Sequence, residues 1–308
     1  MENVISTDRL TKFYGDKRVV DALSLNVPEG CVYALLGRNG AGKSTTIRML
    51  TGIVQPDFGS ATIFGEDIAS LSPETKASIA WAAEGHPLYR WMRVEQMAGF
   101  AAAFQSTWNE DLVRQILDHF EIPLKKRIFQ LSYGQRAQVS LALAVAPDPK
   151  LLILDDPTLG LDTVVRRDFL ESMIQIIQRE GRTILFSSHI LSDVDRVADR
   201  IGILVDGVLR VDCPIDHFRE AIRKVVVEFE DSPGPLNDCR GLVSTRIAGT
   251  RMELAFVDFG DEQRERLENA GARSIEVLEL NLEDAFVEYT RGRKGTLPVF
   301  NREVAHVS

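Results

Sequence analysis

The stretch CVYALLGRNGAGKSTTIRML, residues 31–50, constrains the fold more than any other part of the chain. Six apolar residues run directly into Gly37-Arg38-Asn39-Gly40-Ala41-Gly42-Lys43-Ser44, and a helix-patterned segment follows at once. A buried strand that ends in glycines and gives way to a helix curls its backbone N–H groups around an anion, and the helix N-terminus adds a partial positive charge. The spacing is that of a phosphate loop, G-x-x-x-x-G-K-[ST], in the strand–loop–helix setting the motif requires. In such a loop Lys43 supplies a mobile cation and Ser44 an oxygen for Mg²⁺, while the other loop residues and Thr45 surround the phosphates.

The rest of the chain is patterned to match. KLLILDD and RTILFSS are short leucine-rich and β-branched strands, each followed by a helical stretch, so strand and helix alternate as in a parallel sheet with right-handed crossovers. Ahead of the phosphate loop, VISTDRLTKFYG and VVDALSLNV read as two strands around a turn. Residues 88–147 turn helical and read as an inserted helical subdomain. IGILVDGVLRV reads as a hairpin around Asp206-Gly207. The expected domains are 1–222, carrying the phosphate loop, and 223–290, a small α+β unit with a PGP-containing loop. Residues 291–308 are expected to form a disordered tail.

Composition excludes several classes. With 44% hydrophobic residues and a mean hydropathy of −0.06, no window approaches the roughly 18 uninterrupted apolar residues of a membrane span. The first residues, MENVISTDRLTKFYG, lack a basic segment followed by an apolar one, so a cytoplasmic protein is expected. Cys31, Cys213 and Cys239 are far apart and in no CxxC spacing, which argues against a disulfide framework or a zinc site. The net charge is −9, and residues 225–290, with fifteen acidic against six basic residues, carry all of that excess. Without a clustered basic face, nucleic acid is not an expected partner. Ser188 and His189 are adjacent and no G-x-S-x-G elbow occurs, so a serine hydrolase is excluded.

Two further motifs stand in order after the phosphate loop. Leu131-Ser132-Tyr133-Gly134-Gln135 opens a helix, and LLILDD at 151–156 ends an apolar strand in Asp155 and Asp156. LSYGQ resembles the LSGGQ signature of ABC-type ATPases, and the order of phosphate loop, signature, LLILDD, Gly160-Leu161-Asp162 and Ser188-His189 is similar to theirs. The resemblance covers roughly residues 3–222. It implies an α/β fold: a P-loop NTPase of ABC type with an N-terminal antiparallel β-subdomain, an inserted helical subdomain and, here, a small C-terminal α+β domain. It implies ATP and Mg²⁺ as ligands, with Asp155 and Ser44 near the metal. Tyr14 matches the aromatic that stacks on adenine, and His189 matches the histidine that contacts the γ-phosphate. Ser132, Gly134 and Gln135 match the helix tip that caps the nucleotide of the other subunit, and Asp162 the loop that crosses the dimer interface.

Two positions depart from that pattern. Glu84, in IAWAAEGHPLY, stands where the lid usually offers glutamine, and its carboxylate suits direct Mg²⁺ ligation or repels a γ-phosphate too close to it. Asp156 stands where a glutamate base normally polarises water. An aspartate keeps the carboxylate but loses a methylene of reach, so an active but slowed ATPase is expected. The resemblance implies an ATP-dependent homodimer that drives a separate membrane permease, with the chain peripheral on the inner face of the cell membrane. The match of LNLEDAFVEYT to the C-terminal ending of ABC-2-type exporters points to export. Two alternatives are an ATP-gated regulatory protein that scarcely hydrolyses, and a soluble ABC-type ATPase not linked to transport.

Overall fold

The computed structural model describes residues 2–178, 181–231, 239–291 and 300–301, and the chain divides into two units, Met1–Leu209 and Arg210–Ser308. In the first unit β1 (Asn3–Tyr14) buries Val4, Ile5 and Leu10, with the adjacent Val4 and Ile5 on opposite faces of the strand. It turns at Gly15, φ 59°, into β2 (Lys17–Leu23), and β3 (Asn26–Pro28) pairs back onto β1. The chain then enters β4 (Val32–Gly37), passes the glycine loop and forms α1 (Lys43–Leu50). β5 (Phe58–Ile63) and β6 (Glu66–Asp67) return to complete an antiparallel sheet of order β2-β1-β5-β6, with β3 on β1. Next come α2 (Pro73–Ala77), whose N-terminus Ser72 Oγ caps by accepting from Thr75 N–H, and β7 (Ile79–Ala82).

Between β7 and the next strand lie three helices, α3 (Val94–Ala102), α4 (Glu110–His119) and α5 (Tyr133–Val145). Asn109 caps α4 and Ser132 caps α5, each through its side-chain oxygen. The unit continues through β8 (Leu151–Leu154), α6 (Thr163–Gln178), β9 (Thr183–Ser188), α7 (Leu191–Val197) and β10 (Arg200–Val205). The five strands β10, β4, β9, β8 and β7 lie side by side in that order, all parallel. A parallel sheet is covered on both faces, which accounts for the unbroken burial of β8 and β9. Leu151–Leu154 are each 0% exposed. Each such side chain contributes about 1.5–3 kcal/mol, so the strand that precedes the two aspartates is rigidly held.

The registers Leu36↔Ser188, Leu154↔Phe186 and Ala82↔Leu154 bring the carboxyl ends of β4, β9, β8 and β7 to one edge of the sheet. Ligands of open α/β sheets bind at that edge. One apolar cluster ties the two sheets together: Ile5, Leu10, Val20 and Leu23 pack with Tyr33, Leu35, Ile47, Leu50, Ile153 and Leu185. At the end of β10, Asp206 and Gly207 both have positive φ (50° and 84°), as a tight hairpin turn requires.

The second unit contains β11 (Val208–Pro214, entered from the first unit), α8 (Ile215–Ala221), β12 (Ile222–Phe229), β13 (Leu242–Ala248), β14 (Arg251–Val257), α9 (Asp261–Asn269), β15 (Ala272–Glu279) and α10 (Leu282–Arg291). Four of its strands form an antiparallel sheet of order β13-β14-β12-β15. Val225, Val227, Met252, Leu254, Phe256 and Leu267 make its core. The rings of Phe218 on α8 and Tyr289 on α10 meet edge-on at 5.9 Å, so α8 packs within this unit. The PGP loop and residues 292–299 and 302–308 of the tail lie outside the described residues.

Candidate nucleotide-binding and hydrolysis site

Gly40 (φ 81°) and Gly42 (φ 110°) adopt the left-handed backbone that lets the loop double back before α1. A Cβ on Gly42 would stand 2.7 Å from the Val19 carbonyl oxygen, so no other residue fits there. Gly42 is the N-cap of α1 and offers no side-chain acceptor, which leaves the helix's first N–H groups for an anion. Lys43 Nζ donates to the Gly37 carbonyl at 2.7 Å, folding the buried amine back along the loop. Burial pushes the Lys43 ammonium down from its usual range, opposed by the negative charges of Asp156, Asp155 and Glu84. Arg38 and Asn39 are exposed at the loop's outer turn, Ala41 is buried, and Ser44 and Thr45 are half-buried in the first helical turn.

Asp155 is 1% exposed and its Oδ1 accepts from two hydroxyls, Ser44 Oγ at 3.0 Å and Ser187 Oγ at 2.8 Å. Ser187 Oγ in turn accepts from Asp156 N–H at 2.8 Å. One serine at the end of β9 therefore fixes both aspartates at the end of β8. Asp156 takes a left-handed φ of 46°, which short polar side chains tolerate best. Its Oδ2 lies 2.8 Å from His189 Nδ1, while its Oδ1 is buried without a hydrogen-bond partner among the described residues. Such an unpaired carboxylate oxygen is costly unless something polar arrives to meet it. With the proton on Nδ1, His189 donates to Asp156 and leaves Nε2 as an acceptor.

The signature segment is built differently. Ser132 Oγ accepts from Gln135 N–H and Gln135 Oε1 accepts from Ser132 N–H, both at 3.1 Å, a reciprocal capping box. Ser132 is exposed and its own O–H remains to donate. A Cβ on Gly134 would stand 2.9 Å from Val165 Cγ1 on α6, which explains the glycine. Asp162 Oδ1 accepts from the N–H groups of Val164 and Val165 and so caps α6.

Lys43, Ser44, Asp155, Asp156 and His189 thus form one cluster. Glu84, exposed in the loop after β7, reaches it electrostatically through Lys43. Tyr14 lies on the antiparallel sheet, 48% exposed, with Lys12 Nζ 5.9 Å above its ring. Among the described residues no hydrogen bond or ion pair joins Tyr14 or Ser132 to the cluster. Sequence reasoning missed Ser187, whose only signal was its place just ahead of Ser188-His189. It also missed the buried Asp193, whose Oδ2 accepts from Thr158 Oγ1 at 2.8 Å with Arg166 Nε at 4.0 Å, bracing the turn after Asp156.

The residues present fit Mg²⁺ with a polyphosphate. No group of three or more His, Cys, Asp or Glu among the described residues is placed to hold a metal by itself. Mg²⁺ in phosphate sites needs only one or two protein oxygens besides phosphate and water, and Ser44 Oγ with Asp155 Oδ1 offers such a pair.

Fold and site together define a phosphate-loop protein that binds and hydrolyses nucleoside triphosphates. The ABC transporter family profile matches residues 20–159. The bacitracin transport ATP-binding protein BcrA of Bacillus licheniformis is 34% identical over 232 residues, 75% of this chain and 76% of that protein. The Nod factor export ATP-binding protein I of Sinorhizobium fredii is 32% identical over 295 residues, 93% of this chain and 85% of that one. A solved ATP-binding subunit of an ABC transporter superposes with a TM-score of 0.63 at 30% identity, over 70% of this chain and 92% of that one. The chain belongs to the ABC transporter family, as an ATP-binding, ATP-hydrolysing subunit.

Proposed function

We propose that two copies of this chain close around two MgATP and that their opening and closing drives a separate membrane permease, in the direction of export. The observation that carries this is the split site: one cluster holds a phosphate loop, metal-type oxygens and an Asp156–His189 pair, while an exposed, serine-capped helix tip makes no hydrogen bond or ion pair with it among the described residues. A helix N-terminus with a free hydroxyl donor suits the γ-phosphate of a nucleotide held by a second copy. In this reading the loop Gly37–Thr45 cradles the phosphates, Tyr14 supports the adenine, and Ser132, Gly134 and Gln135 complete the partner's site. Ser44 and Asp155 would hold Mg²⁺, with Glu84 as a further oxygen, and the metal would supply charge neutralisation at the phosphates. Asp156 accepts the proton of the attacking water through Oδ1, and His189 holds its other oxygen in place.

An exposed aromatic patch on the helical segment is proposed as the face that docks the permease. No helix among the described residues is long and apolar enough to cross a membrane. Tyr89, Trp91 and Phe104 are 50%, 64% and 74% exposed, and the ring pairs Tyr89–Phe100 and Phe100–Phe104 meet edge-on at 5.3 and 5.1 Å. A contiguous exposed aromatic patch marks an interaction site. Export is supported by the similarity to the Nod factor export ATP-binding protein, 85% of which is covered by this chain, and by the LEDAF segment on α10. The unit from Arg210 onward is proposed as an accessory domain of this motor. Sedimentation of the purified chain with Mg²⁺ and a non-hydrolysable ATP analogue tests the reading: a nucleotide-dependent dimer is expected, and a persistent monomer, even beside the permease, contradicts it.

A further inference from the structure

Tyr133 is the signature residue that departs from the family's glycine, and its ring is packed within its own chain on three sides. A Cβ placed on Gly160 would stand 3.2 and 3.4 Å from two of its ring carbons, so the ring lies flush against the turn between Asp156 and Asp162. His86 meets it edge-on with ring centroids 5.3 Å apart, and the Arg136 guanidinium lies 5.4 Å from its centroid. His86 sits two residues after Glu84, is 4% exposed, takes a left-handed φ of 50° and has no hydrogen-bond partner on either ring nitrogen among the described residues. Strain and unpaired polar atoms of this kind persist where the surroundings over-determine a conformation, and they cluster in segments that switch. Gly160 carries the complementary signature: with φ at 74° and the ring where a Cβ would meet it, a larger residue would push Tyr133 away.

We infer that Tyr133 is a positioning residue that couples the loop carrying Glu84 and His86 to the turn carrying Asp156 and Asp162. Two loops, one after β7 and one after β8, meet on this ring. Burial first, then the charges of Glu84 and Asp156 working against that of Arg136, push its hydroxyl up from the ordinary range. A shift of the lid loop on binding nucleotide moves His86, and the ring passes that shift to the backbone that sets Asp156. With glycine at this position that side-chain link would be absent. The inference rests on the hydrolytic role of Asp156 proposed above.

Steady-state ATP hydrolysis by the full chain tests it. Tyr133→Ala is expected to lower kcat at least about tenfold with KM for ATP within about twofold, since misplacing a reacting group costs rate more than binding. Tyr133→Phe keeps the ring and should restore the rate to within about twofold. His86→Ala should show the same kcat loss, and the double variant Tyr133→Ala/His86→Ala should lose no more than either alone, as two parts of one linkage do. His86→Ala leaves the signature helix intact and carries the test alone if Tyr133→Ala fails to fold. An unchanged kcat in either alanine variant, losses that multiply, or a phenylalanine variant as slow as alanine overturns the inference. Asp156→Asn separates the two readings: if it is inactive while Tyr133→Ala is normal, only the coupling is wrong, and if it is fully active the hydrolytic assignment itself falls.

Discussion

His189 Nδ1 lies 2.8 Å from Asp156 Oδ2, while Asp156 Oδ1 is buried without a hydrogen-bond partner among the described residues. The shortened acid is thus oriented by its imidazole through Oδ2. Asp156→Asn keeps the shape and removes the proton acceptor, so ATP turnover is expected to fall by about 10²–10⁴. Asp156→Glu restores reach and should hydrolyse at least as fast as the unmodified chain. A phosphate-release assay on the three proteins decides this, and an Asp156→Asn rate equal to the parent would remove the role.

Gly42 tests the cradle. Alanine there must hold an unfavourable φ of 110° and drives its Cβ against the Val19 carbonyl. The left-handed backbone alone costs about 1–2 kcal/mol, and relieving the close approach moves the loop. Gly42→Ala should melt at a lower temperature and bind a fluorescent ATP analogue at least about tenfold more weakly, that is by about 1.4 kcal/mol.

The aromatic patch gives a prediction separable from catalysis. Trp91→Ala combined with Phe104→Ala removes two exposed rings that are not among the residues of the phosphate cluster. Co-purification with the permease should fall sharply while hydrolysis by the isolated chain stays within about twofold, since exposed substitutions away from special features shift stability by only about 0.5 kcal/mol. Equal capture of parent and variant would exclude this face.

Asp193 sets a pH dependence. Burial is the largest influence on its carboxyl and raises it above the ordinary carboxylate range, against the hydrogen bond from Thr158 and the charge of Arg166. A raised acid binds its proton more readily folded than unfolded, so its stabilising contribution is full below the unfolded value near 3.8 and is lost as pH rises through the folded one. Asp193→Asn lacks that loss. Its melting temperature relative to the parent should therefore climb from pH 4 upward, whereas a difference flat with pH would show that Asp193 does not titrate in this way.

Much of this architecture was legible in the residues. The phosphate loop, the aspartates ending LLIL and the serine-capped LSYGQ helix each carry their own local signal, because glycine spacing, apolar runs and capping chemistry act over a few residues. What was not legible depends on distant pairs. Ser187 became a bridge between Asp155 and Asp156 only through the register of β8 with β9, and a serine at a strand end announces no such role. His86 carries no signal of its own in the sequence, because its contact is with Tyr133, forty-seven positions later. The second unit begins at Arg210 rather than at the change of texture near residue 223, because the packing of α8 on α10 joins segments far apart in sequence.

The central claim is that the phosphate loop of one copy and the serine-led helix tip of another form a single site. Lys43→Ala removes the first element and Ser132→Arg blocks the second, so each variant alone should be inactive. Mixed together, they can form a dimer in which the Ser132→Arg copy lends its intact Lys43 and the Lys43→Ala copy its intact Ser132. ATP turnover is expected to reappear in the mixture. A mixture as inactive as its two components would contradict the shared site.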